Sequence, residues 1–222
     1  MTAVSNPQPF RALDDEEERL DSYAERILEA ARRLLVEHGL RRTSLADVAA
    51  SAGVSEATLY RRFPNRDDLL RTLVAREARA FIVRVDQQIG AIGDPTERLV
   101  AAFITLAHAL REHDLVRRLL VTDPERILPL ITIHGAPALA LGRRYVLAQV
   151  RLAADSGATL TAAPEYLAEL LVRIAHSLVL TPDTALPIDD DEQLAELART
   201  TLAPMLIAQP SRARDSKRPA EG

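Results

Sequence analysis

The sequence predicts an all-α chain, and three observations carry that prediction. Apolar residues recur at helical spacing through most of the 222 residues, with no convincing strand pattern. Aromatic residues are only 4% of the chain while hydrophobic residues are 47%, so the core is built from Leu, Ala, Ile and Val, which suits helix packed on helix. The periodic runs also begin at capping residues or prolines and stop at glycines.

Residues 1–20 hold two prolines and the acidic run Asp14-Asp15-Glu16-Glu17-Glu18, and read as a mobile arm. A first helix is expected from about Ser22 to His38, with Ile27, Ala31, Leu34 and Leu35 on one face and Gly39 as its stop. Ser44 starts a second helix, with Asp47 completing a capping box. Gly53 interrupts it, Ser55 starts a third, and Asn65 with Asp68 starts a fourth that runs to about Gln88. Gly90 and Gly93 separate the two blocks, giving an N-terminal unit over 21–80 and a second over 81–208. Asp94-Pro95-Thr96-Glu97 opens the next helix, which turns Leu99, Phe103, Leu106 and Leu110 inward. A broken stretch follows, punctuated by Pro124, Pro129, Gly135 and Pro137. Long helices are expected over about 138–154, 165–181 and 191–207, and residues 209–222 read as a disordered tail.

Composition removes several functional classes. There is no cysteine, hence no disulfide, thiolate metal site or cysteine nucleophile. The N-terminus lacks a secretory signal and no run is long enough to span a bilayer, so the expected location is the cytoplasm and no membrane partner is expected. Of five histidines, no two sit four apart on one helix beside a carboxylate, and no phosphate loop or nucleophile elbow is present. No catalytic residue, metal or cofactor is therefore assigned. Residues 22–80 carry eleven arginines against eight acids, a modest positive excess in a chain of formal net charge −4.

Residues 44–63, SLADVAASAGVSEATLYRRF, have the grammar of a helix-turn-helix. Val48 and Ala49 face inward, Gly53 frees the bend, Val54 fills the gap beneath it, and Leu59 and Phe63 pack the second helix against the first block. The rest of that helix, Glu56, Ala57, Thr58, Tyr60 and Arg61, is left outward. A helical protein-binding adaptor is the alternative reading of such a scaffold.

These residues resemble the TetR family of bacterial transcriptional repressors. The matching positions are Ile27, Ala30-Ala31, Gly39, Thr43-Ser44-Leu45, Val48-Ala49, Ala52-Gly53-Val54-Ser55, Thr58-Leu59-Tyr60, Phe63 and Asn65-Arg66-Asp67-Asp68-Leu69, about a third of the chain. The resemblance implies a three-helix DNA-binding domain, whose third helix enters the major groove of double-stranded operator DNA, followed by a helical effector-binding and dimerisation domain. Candidate DNA contacts are Thr43, Ser44, Ser55, Glu56, Ala57, Thr58, Tyr60, Arg61, Arg62 and Arg66. Arg66 stands where the family usually has lysine, and Ala46 where some relatives carry a base-reading polar residue.

The resemblance also implies a homodimer and an effector pocket, and the largely apolar residues expected to line that pocket point to a small hydrophobic effector, acyl-like or aromatic. The expected interface stripes are Leu167, Leu170, Leu171 and Leu178 on one late helix and Leu194, Leu197, Leu202 and Met205 on the other. The expected pocket comprises Phe103, Leu106, Leu110, Leu120, Leu130, Ile131, Tyr145, Gln149, Leu152 and Ile174, with Tyr145, Gln149 and His176 as polar anchors.

Overall fold

Asp21 stands in extended backbone and accepts the Ala24 N–H at 2.8 Å, so the first helix, α1 (Ser22–His38), starts at a satisfied N-cap. The computed structural model describes residues 21–208 apart from 113 and 182; the side chains at 110 and 112, and the expected arm and tail, lie outside the described residues. Gly39 ends α1 at a positive φ of 75°. Two short helices follow, α2 (Leu45–Ala52) and α3 (Glu56–Arg62), then the long α4 (Arg66–Ile89). The second block is α5 (Pro95–Glu112), α6 (Asp114–Thr122), α7 (Pro124–Ile131), α8 (Ala136–Asp155) and α9 (Pro164–Leu180). It closes with α10 (Asp191–Leu197), a π-helical stretch (Ala198–Leu202) and a last turn, α11 (Ala203–Leu206). Among the described residues there is no strand, only one isolated antiparallel bridge between Leu160 and Ile207.

Two expectations are corrected here. The proline-broken stretch is two real helices, because Pro124 sits at the first position of α7, where its missing N–H costs nothing. The helix expected over 191–207 is not continuous, since Pro204 has no N–H and the chain widens into a π stretch just ahead of it.

The core around the head is shared with the second block. Ile27, Leu28, Ala31, Val48, Ala49, Leu59, Phe63, Leu70 and Leu73 form one buried cluster, and Leu115, Leu119, Ile127 and Leu130 of α6 and α7 complete it. A seven-residue helix is marginal alone. α3 stands because Leu59 and Phe63 are buried in that cluster, Ser55 caps its start and the Arg62 guanidinium pairs with Asp21 at the start of α1.

Candidate functional site

The bend between α2 and α3 is built from backbone first. Gly53 adopts left-handed φ 64°, ψ 41°, and its N–H reaches back to the Ala49 and Ala50 carbonyls. Arg26 of α1 fastens the bend from below, donating to the Ala52 carbonyl at 2.6 Å and the Gly53 carbonyl at 3.0 Å. Val54 is partly buried against the core. The helix pair is thus held at fixed angle to α1.

That frame decides which side chains face water. Ser55, Glu56, Ala57, Tyr60 and Arg61 of the α3 turn are exposed, and Thr58 is half-buried with its hydroxyl 3.0 Å from that of Ser55. The arginines of the head divide sharply. Arg33 bonds Ser51, Arg41 pairs with Glu125, Arg71 with Asp68, and Arg76 with Glu25 and Glu29. Arg42, Arg61 and Arg66 carry no partner among the described residues. An unpaired guanidinium beside an exposed tyrosine is suited to phosphate oxygens or a guanine edge.

One expected contact is corrected. Thr43 is 3% exposed and donates its hydroxyl to the Gly39 carbonyl at 2.8 Å, so its side chain belongs to the α1–α2 turn. Arg62 is the one paired to Asp21, an acid that also caps α1. Ser44 is in place but occupied: its N–H and hydroxyl both donate to the Asp47 carboxylate, at 2.9 and 2.6 Å, and its hydroxyl accepts the Asp47 N–H. The Ser44 bonds hold the Asp47 carboxyl below its usual range, so α2 begins with a fixed negative charge.

The second candidate site is a cavity of about 680 Å³ between α4, α5, α6, α7, α8 and α9. Of the residues expected in a pocket, Phe103, Leu106, Leu120, Ile131, Tyr145, Gln149 and Ile174 line this cavity. Leu130 does not; it is buried in the head cluster. Leu152 is half-buried away from the wall, and the Leu110 side chain lies outside the described residues. His176 lines the cavity, yet its Nε2 lies 2.7 Å from the Ile131 carbonyl, which can only accept, so that ring N–H ties α9 to α7.

Sequence reasoning missed Arg98, which lines the cavity with Gln149 and Tyr145. The signal was present: Arg98 falls on the stripe Pro95, Leu99, Ala102, Phe103 and Leu106, a charge among apolar residues. It also missed Asp123, 1% exposed at the α6–α7 junction, whose Oδ2 accepts the Leu40 N–H at 3.1 Å and the Thr122 hydroxyl at 2.7 Å. Its Oδ1 has no hydrogen-bond partner and lies 3.4 Å from Arg41 Nε. One buried carboxylate thus joins the cavity's α6–α7 wall to the segment entering α2.

The interface stripes divide as well. Leu167 and Leu194 are buried inside the chain, and Leu178, Leu197 and Leu202 pack against the cluster of Val100, Phe103 and Leu106. Leu171 and Leu202 line the cavity. A stripe read from periodicity faces whatever covers it, and here the chain's own helices do. Leu170 and Met205 remain about half exposed, joined by the unforeseen Tyr166 at 70%, one turn from Leu170 on α9. Among the described residues no group of metal-ligating side chains forms and no helix is long and apolar enough to cross a membrane.

A glycine-bent helix pair pinned on a third helix, with unpaired arginines outward, defines a helix-turn-helix DNA-binding protein. A family model described as bacterial regulatory proteins, tetR family, matches residues 27–73. An uncharacterized HTH-type transcriptional regulator of Mycobacterium tuberculosis is 30% identical over 170 residues, 77% of this chain and 87% of that one. The transcriptional repressor KstR2 of the same organism is 28% identical over 87 residues, 39% of this chain and 44% of its own. Among solved structures, the TetR family repressor AlkX of Dietzia aligns with a TM-score of 0.64 at 23% identity, covering 84% of this chain and 96% of that one. The chain belongs to the TetR family of bacterial transcriptional regulators.

Proposed function

We propose that the chain is a ligand-responsive repressor: a homodimer that seats two α2–α3 units on an operator and leaves it when a small apolar effector fills the cavity. The observation that carries this reading is the sharing of walls. α4 follows the reading helix directly and lines the cavity from Leu70 to Ile89, while α6 and α7 line it and, through Asp123, hold Leu40 ahead of α2. An effector that favours a different spacing of these walls would move both supports of the head together. The two heads of a dimer must meet half-sites about 34–36 Å apart per helical turn, so a small change in their separation weakens both contacts. The effector shifts this balance only by its difference in affinity for the two states. The names of KstR2 and AlkX as repressors support the direction of control.

The test is a mobility-shift titration of DNA recovered by genomic selection, followed by challenge of the complex with a panel of apolar compounds. The reading expects at least one compound that binds the protein to lower DNA affinity about tenfold or more, the ordinary scale of allosteric coupling. If compounds bind the cavity and DNA affinity never changes, ligand control is wrong.

A further inference from the structure

We propose that the effector is a long-chain anionic amphiphile, its carboxylate held by Arg98 at the α4–α5 corner and its hydrocarbon chain lying along α4, α5 and α8; this deepens the effector reading and rests on it.

The first argument is shape. Wall residues on α4 run from Leu70 to Ile89, about 28 Å of helix at ~1.5 Å per residue. On α8 they run from Ala138 to Ala153, a comparable length. A volume of about 680 Å³ spread over that distance is a channel rather than a round chamber. Its walls along most of that length are Leu, Ile, Val, Phe and Ala side chains. A channel of this form favours a chain over a fused ring system.

The second argument is charge. Arg98 is half-buried and lines the wall, and its hydrogen-bond partners among the described residues are both neutral: the Ile92 carbonyl at 3.0 Å and the Gln149 amide oxygen. A guanidinium has five N–H donors, so donors remain for two oxygens of a carboxylate. The nearby acid, Asp86, does not line the cavity, and its Oδ1 already accepts from the Tyr145 hydroxyl at 3.1 Å and the Gln149 amide at 3.4 Å. Burial first, and then the Asp86 charge, push the Tyr145 pKa up, so that phenol keeps its proton and its bond. The other charges on the wall are otherwise engaged: Glu77 pairs with Arg32, and Arg117 donates to the Arg111 carbonyl. Gln149 and Tyr145 are therefore positioning residues, the first steadying the guanidinium and both holding Asp86. A half-desolvated cation without an acid partner is costly, and an anionic ligand offsets that cost.

The test is isothermal titration calorimetry of the full chain with dodecanoate and with dodecan-1-ol. Wild type is expected to bind dodecanoate at least about tenfold tighter than the alcohol, and shorter carboxylates to weaken by about threefold to fourfold per methylene. Arg98→Met should abolish the preference for the acid over the alcohol, with Arg98→Lys retaining part of it and circular dichroism confirming the fold of each. Equal binding of acid and alcohol by wild type overturns the carboxylate anchor while the apolar effector reading survives. Binding of neither overturns the long-chain ligand, and the panel of apolar compounds then decides the effector reading separately.

Discussion

Gly53 sits at φ 64°, and a Cβ there would lie 3.0 Å from the Arg26 guanidinium that fastens the bend. Gly53→Ala is expected to cost about 1–2 kcal/mol from backbone strain, seen as a lower midpoint in urea. The arginines of α3 give a paired prediction. Arg61→Ala should leave stability unchanged and weaken operator binding about tenfold or more, because its guanidinium has no partner within the described chain. Arg62→Ala should instead loosen the α1 start and alter DNA affinity far less, since it is held by Asp21. At Asp47 the sign runs with pH. Its carboxyl is held below its ordinary value of 3.8, so the cap stabilises α2 above that value and is lost as pH falls toward the lower folded value. An Asp47→Asn variant should show a flatter acid limb in a stability profile against pH.

At the scale of elements, the junction of α6 and α7 is the informative one. Asp123→Ala strips acceptors from the buried Leu40 N–H and is expected to destabilise by about 1–3 kcal/mol in chemical denaturation. Asp123→Asn keeps an acceptor for that N–H, and the loss should be smaller. Helices α1 to α4 were legible in the sequence because their ends are written in local chemistry: Gly39 stops α1, and Ser44, Ser55 and Asn65 each accept an N–H three residues on. α6 and α7 were not, because the prolines that punctuate them look like loop residues until Pro124 is seen at a first-turn position. Arg98 and Asp123 were missed for a related reason. Arg98 stands out as a charge on an apolar stripe, but its bond to Gln149, like that of Asp123 to Leu40, joins segments about fifty and eighty residues apart, and spacing alone does not encode the partner.

For the whole molecule, periodicity located the apolar faces of α9 and α10 but not what covers them. Leu167 and Leu194 are buried by the chain itself, whereas Tyr166 and Leu170 stand out from α9. The two kinds of position separate in experiment. Leu167→Arg is expected to unfold the chain, while Leu170→Arg should leave it folded and shift it from dimer to monomer in analytical ultracentrifugation. Operator affinity should fall with the dimer, since a monomer reaches a single half-site. The outward residues of the reading helix were legible because a short helix spends its few apolar side chains on the core and leaves the remainder facing out.

The most direct measurement is a fluorescence-anisotropy titration of operator and scrambled DNA with wild type, Arg61→Ala and Tyr60→Phe at two salt concentrations. The account predicts tight, salt-sensitive binding that prefers the operator, with the preference reduced in Arg61→Ala and its salt slope shallower by about one. Equal, weak binding of every sequence by wild type, unchanged in the variants, would contradict it.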